Sequence, residues 1–367
     1  MLTVINSLAT GGAETLVCAA TRALAARDDT NVAIVLLYPD HSEAWRLDGT
    51  SVTMMSMNLR GKRDLRHGAR LLQQEIANFQ PDVVHAHLFP ADWVTVLAAR
   101  ARRADFPIVL SEHAETNRRR KLPLNRQLES RLYGHYDNIV CVTSAVERAL
   151  SAWMPAVQGR TTVVPNAVEM PTDGWDARGP FLTDLIFVGR LFKQKGLDIL
   201  IDALCSLRTR GQRVSLKVVG DGPRRHEYER SVQRRGLVDQ VQFVGRCRDA
   251  QQLMRLAKAL VMPSRYEGLP MVMLEAMSLG MPVIATAVSG ASQVIRNEWS
   301  GFLVSPQDVA RLAASIATVL ANPALASSIG ERARDTVARD YSISTHAQRL
   351  LAVYEKVGAR AQTPRGS

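Results

Sequence analysis

Hydrophobic positions in this chain fall into short apolar runs separated by longer stretches with helical spacing. Residues 2–8, 31–37, 82–87, 108–113, 138–144 and 161–166 each read as a buried strand, too short and too β-branched for a helix. Between them, apolar residues recur three and four apart. One such segment runs from the Gly11-Gly12 turn to about residue 26. Another follows the basic stretch 60–70, with Leu65, Ala69, Leu72 and Ile76 on one face. Strands alternating with helices predict parallel βαβ units.

The alternation breaks between Glu169 and Pro180, where Pro171, Gly174, Asp176 and Gly179 cluster as a linker. A second series then begins, with strands expected at 184–190, 214–219, 241–244 and 258–262. Helices are expected at 196–208, up to Arg235, and at 308–320, 324–337 and 345–357. The predicted organisation is α/β throughout. A first domain spans 1–168, a linker 169–183 and a second domain 184–340. A C-terminal helix at 341–358 is expected to pack back on the first domain, and 359–367 reads as a disordered tail.

A chain of 367 residues with 46% hydrophobic residues has enough for two cores. No apolar run approaches the roughly 18 residues of a membrane span. The N-terminus lacks the basic head of a signal peptide. The four cysteines (Cys18, Cys141, Cys205, Cys247) lack metal-ligand spacing and read as core residues in a reducing compartment. A net charge of +11 admits nucleic acid, an anionic membrane or a phosphorylated small molecule as partner. With 5% aromatic residues and no aromatic–basic interleaving, nucleic acid is the weakest of the three.

Chemistry concentrates at strand ends. The segment 263–283 reads as strand end, loop, short helix and next strand. Gly268 gives the loop freedom, Pro270 suits a helix first turn and Gly280 ends the helix. Glu267 stands in the loop and Glu275 inside the helix, among apolar neighbours that oblige it to find partners. Arg190 and Lys195 flank another strand-to-helix loop, where an incoming phosphate would lie. The Gly11-Gly12 turn after the first strand is phosphate-friendly as well. His85 and His87 share one face of a strand, and His113 follows the strand that opens into the basic loop 117–124. That loop, with Arg118, Arg119, Arg120 and Lys121 beside Leu122 and Leu124, has the makings of an anionic-surface docking segment.

Taken in order, Gly11-Gly12-Ala13-Glu14, Pro165-Asn166-Ala167, Arg190 to Gly196, Gly220-Asp221-Gly222-Pro223 and Phe243-Val244-Gly245-Arg246 form a series. It continues through Pro263 to Pro270, Gly280 to Thr286 and Gly301 to Val304. The series resembles the retaining glycosyltransferases of family 4 over roughly residues 1–357. Ser289-Gly290 departs from it, because the family more often has two glycines there. The resemblance implies the GT-B architecture, two Rossmann-like doubly wound domains facing across a cleft. It also implies a nucleotide-diphosphate sugar as donor and a glycan or polyprenyl-lipid-linked acceptor in envelope polysaccharide or glycolipid assembly. By matching position, Arg190 and Lys195 would bind the diphosphate, Glu275 the ribose and Glu267 the sugar hydroxyls. Gly12, Arg246, Gly268, Leu269, Pro270 and Met271 would complete the donor site, and His113 would face the sugar. No Asp-any-Asp motif is present, so no metal or other cofactor is expected and the two cations would take its place. A cytoplasmic enzyme, peripheral on the inner face of the cell membrane, is the expected setting. The runner-up readings are a sugar-nucleotide epimerase or hydrolase on the same fold and, more remotely, a nucleic-acid-binding protein.

Overall fold

A computed structural model describes residues 1–9, 11–61, 64–102, 106–115 and 123–362. The basic run Arg118 to Lys121, Lys62, Arg63 and the tail from Thr363 lie outside the described residues. The chain divides into two compact units, Met1–Asn166 with Ile343–Ser367, and Ala167–Ser342.

The first unit is built on seven strands: β1 (Leu2–Ile5), β2 (Ala33–Leu36), β3 (Thr53–Ser56), β4 (Val84–His87), β5 (Ile108–Glu112), β6 (Asn138–Cys141) and β7 (Thr161–Val163). They pair in the order β3-β2-β1-β4-β5-β6-β7, every pair parallel, with Leu2 opposite Ala33 on one side and Val84 on the other. The second unit holds β8 (Thr183–Val188), β9 (Leu216–Val219), β10 (Val241–Gly245), β11 (Ala257–Met262), β12 (Val283–Thr286) and β13 (Phe302–Val304), in the order β10-β9-β8-β11-β12-β13. Within each half of a sheet a strand leads through a crossover to a parallel neighbour, whereas β3 and β10 lead back across the sheet to β4 and β11. The central strands are buried on both faces, which explains the apolar runs of β2, β8 and β11, while β4 buries His85 and His87 as well. β3 was not expected from the sequence. It is an edge strand with Thr53, Met54 and Ser56 exposed, so it carries no buried run.

Both sheets are doubly wound. Chain order reverses beside β1 in the first and beside β8 in the second, so each sheet has a switch point at the carboxyl ends of two adjacent strands: β1 and β4, then β8 and β11. Ligands bind at such crevices in open α/β sheets. The helix Ile343–Gln362 belongs to the first unit, where Leu350, Val353, Tyr354 and Val357 pack with Ala20 and Leu24. It runs five residues past the expected end at Val357. Among the described residues, no single helix is long and apolar enough to cross a membrane.

Candidate functional site

The switch point of the second sheet brings together two loops, one after β8 and one after β11. In the first, Gly189 and Arg190 leave the strand, and Lys193–Lys195 forms one 3-10 turn. Gly196 follows in the left-handed region at φ +68°, starting the helix Leu197–Thr209. A side chain at Gly196 would run into the Pro263 carbonyl of the second loop. That close approach is why a glycine stands there. In the second loop, Glu267 turns its carboxylate back toward Lys195, with Nζ to Oε1 at 2.6 Å. The Glu267 side chain is only 9% exposed and that of Lys195 22%, so the two charges meet in a partly dehydrated place. Ser264 donates its hydroxyl to the same Oε1 at 2.9 Å.

The helix after this loop is Met271–Leu279. Pro270 is its N-cap residue and gives no side-chain cap, so the first-turn N–H groups remain available to an anion. Leu269, Pro270 and Met271 are buried beneath, whereas Gly268 and Glu275 are half-buried. Gly280 closes the helix at φ +82°, as its place in the sequence predicts. Arg190 is exposed at the end of β8, its guanidinium 4.8 Å from the Phe192 ring centroid. The Lys195 stem lies beside Gly189, the residue before Arg190. Arg246 is exposed just beyond β10. The structure therefore sets Lys195 and Glu267 in direct contact, with Pro270 ending the loop that carries Glu267 and Met271 beginning the helix after it.

Gly12 and His113 belong to the first unit. Gly12 opens the helix Gly12–Ala25 after β1, and its neighbour Gly11 is the N-cap residue. His113 follows β5 and joins His85, His87 and His346 around a small cavity. His85 bonds the Tyr354 hydroxyl at 2.7 Å and the Ser111 hydroxyl at 2.9 Å, and His346 Nδ1 lies 2.7 Å from the Pro165 carbonyl. His87 Nδ1 and His113 Nε2 are buried without a protein partner. Burial pushes His113 down to about 4, against the opposing pull of Glu112. It pushes His346 down to about 4 and His85 to about 3, and holds His87 well below the ordinary value. All four rings are neutral at pH 7. Among the described residues, no three His, Cys, Asp or Glu side chains are grouped to hold a metal ion.

Several residues of the second-unit site escape a sequence reading. Ser289, which departs from the resemblance, donates its hydroxyl to the Glu267 carbonyl at 3.1 Å, and Thr286 bonds the Ser264 carbonyl. Gly290 lies so close to the Gly268 carbonyl that no side chain fits. Asp198 and Arg265 pair across 67 positions of sequence. The one local signal was an acid in the first turn of a helix.

Two Rossmann-like parallel sheets in tandem are the architecture of the GT-B class. Residues 182–336 match the family model described as glycosyl transferases group 1, and residues 10–170 match that of glycosyltransferase family 4. The glycogen synthase of Mycobacterium tuberculosis is 30% identical over 321 residues, covering 83% of this chain and 77% of that protein. The chain belongs to this glycosyltransferase family. The phosphatidyl-myo-inositol mannosyltransferase of Mycobacterium leprae is 28% identical, covering 75% of this chain and 74% of that one. Anabaena HepE in complex with UDP-glucose shares the fold at TM-score 0.82, with 21% identity over 97% of this chain and 99% of that one.

Proposed function

We propose that this glycosyltransferase is a retaining enzyme that moves a hexose or N-acetylhexosamine from a nucleotide-diphosphate sugar. The acceptor is a glycan or lipid-linked molecule in envelope polysaccharide or glycolipid assembly. The observation that carries the reading is the Lys195–Glu267 pair, 2.6 Å apart beside the uncapped start of the helix Met271–Leu279. Each partner occupies the other until a ligand with an anion and a hydroxyl arrives. The donor's diphosphate takes Lys195 and Arg190, and its sugar hydroxyls take Glu267. Glu275 serves the ribose, while Arg246 and residues 268–271 complete the second unit's donor contacts. As the anomeric bond breaks, negative charge grows on the diphosphate, and preorganised cations there stabilise the transition state. The chain supplies those cations itself, so the reaction is proposed to need no metal.

The names of relatives lend support. HepE binds UDP-glucose, and a mannosyltransferase acting on phosphatidyl-myo-inositol has similar sequence. The test is a panel of UDP-, GDP- and ADP-sugars, scored by thermal stabilisation and slow donor hydrolysis, since a ligand bound only to the folded state raises its melting point. The anomeric configuration of the transferred sugar decides retention. A chain that is stabilised by no nucleotide sugar, or that returns only an epimerised donor, overturns the proposal.

We also infer peripheral attachment to an anionic membrane at the cytoplasmic face. Arg60, Arg66 and Arg70 are exposed on and before the helix Leu65–Phe79, and the sequence adds Arg118 to Lys121. Each basic residue near such a surface contributes about 1 kcal/mol. Binding to anionic vesicles that weakens with salt is expected. Equal partition onto neutral and anionic vesicles overturns the inference.

A further inference from the structure

The loop that carries Glu267 is fastened to the turn that carries Lys195 by residues touching neither functional group. Arg265 donates Nη1 to Asp198 Oδ1 at 2.9 Å and Nη2 to Oδ2 at 2.7 Å. The same Nη1 reaches the Lys193 carbonyl at 2.8 Å. Its backbone N–H donates to the Gln194 carbonyl at 2.8 Å, and Gln194 Nε2 returns a bond to the Tyr266 carbonyl at 3.0 Å. Asp198 stands in the first turn of the helix Leu197–Thr209. Burial opposes its ionisation, but the hydrogen bond and charge of Arg265 outweigh that and hold the carboxyl below its ordinary range.

We propose that the Arg265–Asp198 pair is a positioning clasp that sets the spacing between Lys195 and Glu267, and with it the spacing of the diphosphate and sugar contacts. The inference rests on the donor-site reading of those two residues. An ordinary surface ion pair contributes little. This one differs in geometry, because a planar fork gripping both carboxylate oxygens fixes two distances and a plane at once. It also holds a backbone carbonyl of the Lys195 turn, so loop, turn and helix are tied through one side chain only 19% exposed. Lysine, a point charge on a flexible stem, cannot make all three contacts. Gly196 against the Pro263 carbonyl is a second close approach between the same turn and loop.

The test uses Arg265→Lys and Asp198→Asn in the full chain. Misplacement by about 1 Å can cost on the order of 100-fold in rate, so kcat is expected to fall about tenfold or more. Affinity for the free nucleoside diphosphate stays within about threefold of wild type, because Lys195 on its flexible stem still reaches a diphosphate when its spacing from Glu267 changes and the helix Met271–Leu279 is untouched. Combining Arg265→Lys with Glu267→Gln adds little to Glu267→Gln alone, the non-additivity expected of residues acting as one unit. A crystal structure of Arg265→Lys shows the Lys195–Glu267 separation opened beyond about 4 Å, outside ion-pair range. A separation that stays at 2.6 Å, an unchanged kcat or strictly additive losses overturns the clasp. If the wild type transfers no sugar at all, the donor-site reading falls instead, and the crystallographic spacing still judges whether Arg265 sets the geometry.

Discussion

Lys195 and Glu267 hold each other 2.6 Å apart with little solvent around the carboxylate, so removing either changes what the other does. Lys195→Ala or Arg190→Ala takes away one preorganised cation. Each should lower turnover by about 100- to 1000-fold, or about 2.7–4 kcal/mol, with the fold intact by circular dichroism. Activity should survive EDTA. A transferase silenced by EDTA and restored by Mg²⁺, or indifferent to Lys195→Ala, removes the chain-supplied clamp. The two glutamates should behave differently. Glu275→Ala is expected to weaken both donor and free nucleoside diphosphate. Glu267→Ala frees Lys195 from its acidic partner, so the free nucleotide should bind as well as before or more tightly while donor turnover collapses. Calorimetry showing equal weakening of free nucleotide by both changes would falsify this division of roles. Lys195 and Glu267, which the structure pairs, stood out in the sequence because each lies at a short offset from a glycine or proline that marks a strand end or helix start. Ser289, Arg265 and Asp198 did not, because their partners are distant in sequence and chosen only when β8, β11 and β12 lie side by side.

Among the elements, the buried strands announced themselves and the edge did not. β2, Leu185–Phe187 of β8 and Ala259–Met262 of β11 are buried and apolar on both faces, and that continuous run is what a sequence displays. β3 buries almost nothing and reads as loop. Strand order is likewise invisible locally. It is the reversal beside β8 that turns two loops 67 residues apart into one site. The glycines inside those loops are where backbone meets backbone. Gly196 has φ +68° and the Pro263 carbonyl where a Cβ would stand, while Gly290 has only the Gly268 carbonyl against it. Gly290→Ala therefore carries a steric cost alone, and Gly196→Ala adds left-handed strain. Overpacking of this kind typically costs about 1–3 kcal/mol. Denaturant unfolding should show both variants destabilised, Gly196→Ala the more, with donor turnover lost in each since both push on the Glu267 loop. A Gly196→Ala protein of wild-type stability would mean that the two loops can separate freely.

Across the whole molecule, histidine is unevenly shared, and acid should find the difference. The second unit contains one histidine, His226, whose side chain is 90% exposed. The first unit buries His85, His87 and His346 and half-buries His113, on elements as far apart in sequence as β4 and the C-terminal helix. The sequence showed the histidines at strand ends but not their convergence with His346, which the return of the helix Ile343–Gln362 brings about. Burial depresses all four, to about 3 for His85 and about 4 for His113 and His346. A base with a depressed folded value binds its proton in the unfolded chain first. Stability is therefore unaffected above pH 6.5 and is lost as pH falls from there towards 4. One pH unit below the ordinary value, each such histidine costs about 1.4 kcal/mol. The carboxylates whose ionisation is favoured, Asp184, Asp198, Glu227 and Glu229 in the second unit and Asp29 in the first, work in another window. Their contribution is present above the ordinary carboxylate range and fades only below about pH 4. Between pH 6.5 and 4.5 the first unit should thus lose stability while the second does not. Several kcal/mol on a unit of this size corresponds to a fall in melting temperature of about 10 °C or more. Hydrogen exchange, corrected for intrinsic rates, should show protection falling at pH 5 in β4, β5 and the helix Ile343–Gln362, with β8 and β11 holding. His346→Gln should remove about one proton from the uptake on unfolding and flatten the pH dependence accordingly. Protection that declines in parallel in the two sheets, or a proton uptake unchanged by His346→Gln, would show that these histidines do not set the acid limit.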